Sequence, residues 1–290
     1  MEAVVVRERK VVFRELGIRT RVLDAGKGPV VLLLHGNPDN ADEWRGLISR
    51  LAASHRCLAP DFPGYGESPE PPDSFDYGLE AQKRFVDAVL DEAGVTGPVT
   101  LVVHDTGGMV GTAWAAANLD RVAGFVFTNT AVFEDFPWFP IALTWSKTSA
   151  LGRLRAALGM WAIGLGGGAL FRKLFGGQSP QLSAGELDRF VRTFALNEDA
   201  KRTALRQFRK CVPTNFFAGF EAMRRRLVES VPCRVLWGDD DPYLSRELAG
   251  RFFSAPVKIL PGVGHWVPIV APDALAAEVR ALGAASLVTA

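Results

Sequence analysis

One stretch of the chain, residues 101–111, combines a strand pattern, a sharp turn and the start of a helix pattern. The run Leu-Val-Val at 101–103 is apolar and mostly β-branched, which is typical of a strand covered on both faces. It stops at Asp105, glycines follow at positions 107 and 108, and an alanine-rich helical pattern occupies residues 110–119. So tight a turn pushes the side chain at its apex out above the sheet, and glycines let neighbouring backbone approach closely.

Asp105 therefore occupies a position from which a nucleophile could act. An aspartate has an ordinary pKa of about 3.9, so near neutral pH it is ionised and can attack carbon without first losing a proton to a base. The competing structural interpretation is an aspartate that caps the following helix. Possible partners further along the chain favour the nucleophile.

Other apolar runs alternate with helical patterns along the chain. The continuous run at 30–34 is the clearest further strand, because it has no polar position facing either side. Additional strands are predicted at residues 4–12, 20–24, 56–59, 125–128, 234–237 and 257–260, and helices at 44–53, 80–93 and 274–282. The alternation predicts an α/β fold with a mostly parallel central sheet flanked by helices, with function at the carboxyl ends of the strands.

Residues 133–220 differ from the rest of the chain, since they carry helical periodicities, many aromatics and glycines, and almost no strand signal. We expect them to form an inserted helical cap over the carboxyl end of the sheet, between core segments 1–132 and 221–290. The apolar stretch 156–171 is short for a membrane span and contains five glycines, so we expect it to be buried or to line a pocket.

Charge and cysteine content bear on partners and location. The net charge is +1, which gives no reason to expect nucleic acid or an anionic membrane as a partner. The cysteines, Cys57, Cys211 and Cys233, are odd in number and widely spaced, which favours reduced thiols in a cytoplasmic protein over a disulfide framework or a metal site. Residues 1–15 alternate charge with valine, and we expect no signal peptide there.

The chain has four histidines, and their positions leave one candidate for a catalytic base. His35 belongs to the exit loop of the strand at 30–34, and His55 precedes a strand, at the wrong end of the sheet. His104 directly precedes Asp105 in an extended strand, so its side chain should point to the opposite side. His265 remains, in a glycine-flanked loop after the last predicted strand.

An acid between the nucleophile and the histidine completes the chain order of an α/β-hydrolase triad. Three consecutive candidates follow the strand at 234–237, namely Asp239, Asp240 and Asp241. The loop after the preceding strand carries Asn129 instead of a carboxylate. No serine lies in a Gly-x-Ser-x-Gly context, and no cysteine lies at a strand-to-helix turn.

Five motifs, taken together and in order, resemble those of the haloalkane dehalogenases. They are His35-Gly36-Asn37-Pro38, Asp61-x-x-Gly64-x-Gly66-x-Ser68, His104-Asp105-x-Gly107-Gly108, Gly238-x-x-Asp241-Pro242 and Gly264-His265. Those enzymes belong to the Asp-nucleophile branch of the α/β-hydrolase superfamily, which they share with epoxide hydrolases. The resemblance covers nearly the whole core, whereas the predicted cap is similar only in position and composition.

The resemblance implies a role for each site residue. Asp105 would displace a leaving group from carbon and form an alkyl–enzyme ester, and His265, oriented by Asp241, would activate the water that hydrolyses the ester. The backbone N–H groups of Asn37 and Thr106 would hold the resulting oxyanion. The resemblance implies no metal or organic cofactor. The expected partners are a small apolar organic substrate and water.

One detail argues against epoxide opening. Epoxide hydrolases of this branch use cap tyrosines to protonate the opening oxygen, whereas the tyrosines of this chain, Tyr65, Tyr77 and Tyr243, lie outside the predicted cap. The resemblance therefore favours haloalkane dehalogenation over this alternative. A β-lactone decarboxylase with the same triad and, more remotely, a non-catalytic small-molecule receptor are further alternatives.

A second detail separates the chain from the dehalogenases. They hold the departing halide with the Asn after His-Gly, here Asn37, and with a Trp directly after the nucleophile, where this chain has Thr106. A tryptophan of the cap could replace the missing indole by pointing into the pocket. The candidates are Trp138, Trp145 and Trp161.

Overall fold

The computed structural model describes residues 5–213 and 216–286. Residues 1–4, 214–215 and 287–290, which include the start of the first predicted strand and two residues of the predicted cap, lie outside the described part. The described strands are β1 Val6–Phe13, β2 Ile18–Ala25, β3 Val30–Leu34, β4 Arg56–Pro60, β5 Val99–His104, β6 Val122–Thr128, β7 Cys233–Gly238 and β8 Val257–Leu260.

These strands form one sheet in the order β1-β2-β4-β3-β5-β6-β7-β8. The pairs β1–β2 and β2–β4 are antiparallel, and every pair from β4 to β8 is parallel. The mostly parallel sheet predicted from the sequence is confirmed. Strand order reverses around β3 and β5, which is where ligands of open α/β sheets bind.

The central strands are covered on both faces, as their continuous apolar runs require. In β3, Leu32 and Leu34 belong to one hydrophobic cluster, whereas Val31 and Leu33 belong to a second cluster on the other side of the sheet. This alternation follows from the two-residue period of a strand. A rigid sheet thus positions the loops at its carboxyl edge.

Helices pack on both sides of the sheet and alternate with its strands along the chain. The helices of the core are α1 Arg45–Leu51, α2 Leu79–Glu92, α3 Thr106–Ala117, α9 Phe220–Ser230, α10 Val267–Val270 and α11 Pro272–Ser286. Short 3₁₀ turns occupy Ala41–Trp44, Leu119–Arg121 and Arg246–Arg251. Helix α3 packs against α2 and α9, whereas α1 packs against α11.

Between β6 and α9 the chain is helical. The helices are α4 Pro140–Trp145, α5 Ala150–Ala162, α6 Leu165–Gln178, α7 Ala184–Phe190 and α8 Glu198–Cys211, with a π-helical turn at Val191–Ala195. This segment covers the carboxyl edge of the sheet. The division into a cap at 133–220 and a core at 1–132 and 221–290 stays a prediction.

Within the described residues, no single helix is long and apolar enough to cross a membrane. Helices α5 and α6 reach that length and composition together, but they are bent by 95° from one another. Near the start of α6, Gly166, Gly167 and Gly168 have φ values of 58°, 67° and 82°, which L-residues with a side chain rarely adopt. The three cysteines are free and buried.

The sequence predicts a turn at the glycines after Asp105 and a helix from residue 110, but α3 already begins at Thr106. A Cβ at Gly107 would lie 2.1 Å from the carbonyl oxygen of Leu34, and one at Gly108 would lie 1.9 Å from Oγ1 of Thr130. Glycine is therefore required here by the close packing of the first helical turn, although it lowers helix propensity.

Strand β6 begins at Val122, three residues before the start predicted from the sequence.

Candidate active site

Asp105 lies at the sharp turn between β5 and α3, in a strained backbone conformation with φ 46° and ψ −120°. Such a conformation persists only where the surroundings hold it. The backbone N–H of Asp105 donates to the carbonyl of Asn129 (3.0 Å), and its carbonyl accepts from Oγ1 of Thr130 (2.6 Å) and from the N–H of Gly108 (3.0 Å). The loop that follows strand β6 therefore fixes the turn that presents Asp105.

The two carboxylate oxygens of Asp105 have different surroundings. Oδ1 accepts the backbone N–H of Asn37 at 2.9 Å, and the N–H of Thr106 at the start of α3 also bonds the carboxylate. Oδ2 lies 3.8 Å from Nε2 of His265, and both residues line the cavity described below. The carboxylate is thus held by two backbone N–H groups, and the N–H of Thr106 comes from the N-terminus of α3.

Removal from bulk water raises the pKa of the Asp105 carboxyl above its ordinary value. The positive charge of His265 and the two backbone N–H groups oppose this effect. The result is a carboxylate that is poorly solvated in its ionised form, which is the condition under which an anionic nucleophile is most reactive.

His265 is held by Asp241. Nδ1 of His265 lies 2.7 Å from Oδ2 of Asp241, so Nδ1 carries the proton and donates it to the carboxylate, which leaves Nε2 directed toward Asp105. Burial opposes the charged imidazolium, but the charges of Asp241 and Asp105 outweigh it and raise the pKa of His265. The structure brings together the three residues that the sequence indicated as nucleophile, acid and base.

The carboxylate of Asp241 is fully buried, and each of its oxygens accepts hydrogen bonds. Oδ1 accepts the backbone N–H groups of Tyr243 (2.8 Å) and Leu244 (3.1 Å), whereas Oδ2 accepts Nδ2 of Asn129 (2.7 Å) besides the histidine. Asn129 was considered in the sequence only as a non-acidic residue. The sequence places Asn129 in the loop after β6, next to the loop that carries Asp241. That position alone could have indicated a hydrogen bond between the two residues.

A second histidine lies directly beneath His265. The rings of His104 and His265 are 4.6 Å apart, and Nε2 of His104 lies 2.9 Å from the carbonyl oxygen of His265. A carbonyl only accepts, so Nε2 of His104 is protonated and donates to it. The position of His104 in the strand argues against a role as the base, and it does not reveal this hydrogen bond, which holds the loop of His265.

The far side of the His104 ring contacts the buried carboxyl of Glu43, with Oε2 3.3 Å from Nδ1. Burial lowers the pKa of His104 far below its ordinary value and raises the pKa of Glu43 well above its own. A neutral imidazole with Nε2 protonated has an acceptor at Nδ1, so Glu43 must be protonated to donate to it. The pair is therefore neutral.

Replacing Glu43 with glutamine should remove a pH dependence of stability. The folded-state pKa of Glu43 is raised, so the protonated side chain makes its full contribution to the free energy of unfolding below the ordinary glutamate pKa. This contribution is lost as pH rises toward the folded-state pKa, by about 1.4 kcal/mol per pH unit. Glutamine donates to Nδ1 of His104 without titrating. Thermal unfolding from pH 4.5 to 8 should show Glu43→Gln gaining on wild type as pH rises. The exposed Glu80→Gln serves as control, and parallel curves for wild type and Glu43→Gln would contradict a neutral Glu43.

A cavity of about 440 Å³ lies over Asp105 and His265. Its floor comes from the core loops, and its roof from the helical segment between β6 and α9. Its lining is mainly aromatic and aliphatic, with Phe136, Trp138, Phe139, Ile141, Trp145, Ile163, Phe171, Leu174, Phe175, Phe194 and Phe208 contributed by the roof. The polar lining groups include Asn37, Asp105, Thr106, Gln178, Tyr243 and His265. A few polar groups in an apolar cavity are typical of a small-molecule site.

The three candidate cap tryptophans have different positions. Trp138 and Trp145 line the cavity, and their indole N–H groups make no hydrogen bond to any residue that the structure describes. The prediction for Trp161 is wrong, since this side chain is 63% exposed and lies outside the cavity. The face of α5 that packs inward carries Ala156 and Met160, and the helical period directs Trp161 outward.

Tyr243 lies outside the predicted cap but lines the cavity, a possibility that sequence position alone did not reveal. Its ring packs 5.2 Å from that of His265, and its hydroxyl donates to Oε1 of Gln178 at 2.8 Å. Burial raises the pKa of Tyr243. A phenol therefore lies close to the triad, although its proton is directed at the roof of the cavity.

Residues 29–272 match the sequence profile of the family described as alpha/beta hydrolase fold. The chain belongs to the α/β-hydrolase family. Among curated proteins, this hydrolase is similar to the cis-3-alkyl-4-alkyloxetan-2-one decarboxylase of Xanthomonas campestris pv. campestris, with 41% identity over 155 residues, or 51% of this chain and 50% of that one. It is also 40% identical to a haloalkane dehalogenase of Agrobacterium fabrum over 111 residues, which cover 38% and 36% of the two chains.

The match to each of these curated relatives spans half of the relative's length or less. Among solved structures, the epoxide hydrolase CorEH superposes with a TM-score of 0.77 and 20% identity, covering 97% of this hydrolase and 99% of that chain. At this identity the structural likeness shows the fold. The similarity to haloalkane dehalogenases within the α/β-hydrolases, inferred from the motifs, is confirmed.

Proposed function

We propose that this α/β-hydrolase cleaves a carbon–halogen bond in a small apolar substrate through a covalent ester on Asp105. The observation that carries the proposal is the asymmetry of the Asp105 carboxylate, with Oδ1 bonded to the backbone N–H of Asn37 and Oδ2 directed toward Nε2 of His265 in the cavity-lining site. In this scheme Oδ2 attacks the carbon and the halide departs. Oδ1 becomes the carbonyl oxygen of the ester and already accepts the N–H of Asn37.

Hydrolysis of the ester then requires a base. Nε2 of His265 takes a proton from water, the water oxygen attacks Cγ of Asp105, and the developing charge on Oδ1 is stabilised by the N–H groups of Asn37 and Thr106. One such donor is worth roughly 3 kcal/mol in the transition state. Collapse of the intermediate releases the alcohol and restores the carboxylate.

Ester formation itself prepares His265 for this step. The negative charge of Asp105 is one of the effects that raise the pKa of His265, and the ester has no such charge. The pKa of His265 therefore falls when the ester forms, which favours the neutral imidazole whose Nε2 can accept a proton from water. Asp241 keeps the remaining proton on Nδ1.

Groups at the cavity wall can receive the halide. The hydroxyl of Tyr65 lies 3.0 Å from Oδ1 of Asn37 and 2.6 Å from Oε1 of Gln207, although one phenol proton can serve only one amide oxygen. If Gln207 turns its NH₂ to the phenol oxygen, Tyr65 donates to Asn37, whose own NH₂ stays available to the halide. Trp138 and Trp145 also line the cavity, and their indole N–H groups, which have no hydrogen-bond partner among the described residues, are further candidate donors.

The principal alternative is reaction with a β-lactone through the same triad. It is favoured by the 41% identity to a decarboxylase whose name specifies a 3,4-dialkyl oxetan-2-one, a β-lactone with two alkyl chains. A cavity of about 440 Å³ with an aromatic and aliphatic lining suits such chains as well as haloalkanes. Epoxide opening is supported by the presence of Tyr243 in the cavity and opposed by the engagement of its hydroxyl with Gln178.

Thr106→Trp should raise halide release by roughly ten- to a hundredfold, because a good donor to a charged group contributes about 1.5–3 kcal/mol. Thr106→Val is the matched control, since it removes the hydroxyl while keeping the size of the side chain. Chloride and bromide release, diol formation and CO₂ release are measured in parallel on haloalkanes, epoxides and β-lactones. The halogen assignment fails if neither wild type nor Thr106→Trp releases halide while an epoxide or a β-lactone is consumed. Covalent chemistry at Asp105 would survive that result.

A further inference from the structure

Helix α5 is apolar on two opposite faces. Its inward face carries small or flexible residues, Gly152, Ala156 and Met160, and these are buried. Its outward face carries large ones, Leu151, Leu154, Leu158 and Trp161, which are 54–63% exposed. A surface helix of a soluble protein places its large apolar residues inward, so this arrangement is inverted. We call the outward stripe of these four side chains the α5 face.

The exposed apolar surface continues beyond α5. On the next helix, Leu165, Leu170 and Leu174 are 42–58% exposed, and on α4 the same holds for Ile141 and Leu143. The expectation that residues 156–171 are buried or line a pocket is therefore wrong for their outer side. Single exposed leucines need no explanation, but a contiguous stripe indicates an interaction surface.

The charge around this surface is one-sided. Residues 136–185, fifty in number, contain no Asp or Glu and five basic residues, whereas the rest of the chain has a net charge of −4. Of the basic residues, Lys147, Arg153, Arg155 and Lys173 are exposed, and Arg172 pairs with Asp188. The net charge of +1 is the sum of this cationic segment and an anionic remainder, so it does not show how the charge is distributed. The expectation of no anionic membrane as partner was based on that sum.

We propose that the α5 face docks on an anionic phospholipid surface, with α5 and α6 lying in the plane of the interface. Leucines and a tryptophan on one face, with exposed arginine and lysine nearby and no acidic side chain in the segment, are the features of an interfacial helix. The charge also disfavours a second copy as the occupant, because a symmetric dimer through this surface would bring two cationic segments together.

Docking has a consequence for substrate access, and this consequence rests on the proposed function. Ile141 and Leu174 line the cavity and are also 47% and 58% exposed, so the wall of the cavity reaches the same outer surface. An apolar substrate dissolved in lipid would meet the enzyme at this wall without crossing water. Docking itself depends on none of the catalytic residues.

Vesicle flotation of the full chain tests the proposal. Wild type should float with vesicles that contain about one third phosphatidylglycerol, and much less with phosphatidylcholine alone. The triple variant Leu151→Ser, Leu154→Ser, Leu158→Ser should lose more than about tenfold in partition coefficient. Arg155→Glu with Lys173→Glu should remove the preference for the anionic vesicles. The matched control is Val12→Ser with Val257→Ser, which changes exposed valines elsewhere and should float as wild type does.

Three results would overturn the proposal. The first is that wild type does not float with the vesicles, and the second is that the leucine variant floats as well as wild type. The third is that wild type is a dimer in solution and the leucine variant is a monomer, since a second copy would then cover the α5 face. Thermal unfolding curves of the variants verify folding, because all the changed side chains are exposed. Turnover of a water-soluble substrate should be unchanged in each variant, and failure of wild type to turn it over would count against the proposed function alone.

Discussion

Replacing Asp105 with alanine should lower turnover by about 10⁴-fold or more, whichever substrate class the enzyme takes. The whole site converges on this carboxylate, since the N–H of Asn37 holds Oδ1 and His265 faces Oδ2. Removing one member of a group of residues that act as a unit costs nearly as much as removing all of them. Steady-state assays with the substrate identified in the parallel panel give the loss.

The Asp105→Ala enzyme should also be at least as stable as wild type near neutral pH. A carboxyl whose pKa is raised by burial contributes stability below its ordinary pKa and loses it as pH rises through the folded-state pKa. Replacing the carboxylate at neutral pH therefore removes an unfavourable contribution to the free energy of folding. Buried charge and backbone strain at a functional site commonly lower stability in this way. Asp240→Ala, which changes an exposed acid in a neighbouring loop, controls for loss of charge. Near-normal turnover by Asp105→Ala would show that another group is the nucleophile.

Asp241→Asn should slow hydrolysis of the ester by about 10⁴-fold while leaving ester formation much less affected. Oδ1 of residue 241 accepts two backbone N–H groups, so an amide here would turn its NH₂ toward His265 and Asn129. Nδ1 of His265 would then become the acceptor and Nε2 would carry the proton. In that tautomer Nε2 cannot take a proton from water, which is the effect of the same change in a serine protease triad.

The neighbouring acids supply the controls for this prediction. Asp239 accepts the backbone N–H of Gly262 at 2.8 Å, and Asp240 is exposed. Asp239→Asn and Asp240→Asn should therefore retain ester hydrolysis within a few-fold of wild type. Rapid-quench measurement of the ester separates the two chemical steps. If Asp241→Asn hydrolyses the ester normally while one of the neighbours does not, the acid has been misassigned.

The triad could be predicted because each member follows a strand, and parallel strands bring their carboxyl ends to one edge. Asp105, Asp241 and His265 are far apart in sequence, yet β5, β7 and β8 place them side by side. The chemical types of the residues and the strand order were enough. The catalytic role of these residues stays a prediction.

The parts that could not be predicted depend on side-chain direction and on burial. His104 was set aside because it precedes Asp105 in the strand, and its ring lies under His265 because the last loop folds back over β5. Trp161 and Trp138 are both aromatic residues of the predicted cap, but Trp161 is exposed and Trp138 lines the cavity. Only the packing of their segments distinguishes the two. The protonated state of Glu43 likewise requires knowledge of its burial.

The central claim, a covalent ester on Asp105, is tested most directly in the His265→Gln enzyme. Glutamine lacks the basic nitrogen at Nε2, so ester formation should proceed and its hydrolysis should stop. After incubation with a substrate that wild type consumes, intact-protein mass spectrometry should show one added substrate fragment per chain, and peptide mapping should place it on Asp105. Unmodified protein after full exposure, or an adduct on any other residue, would contradict the account.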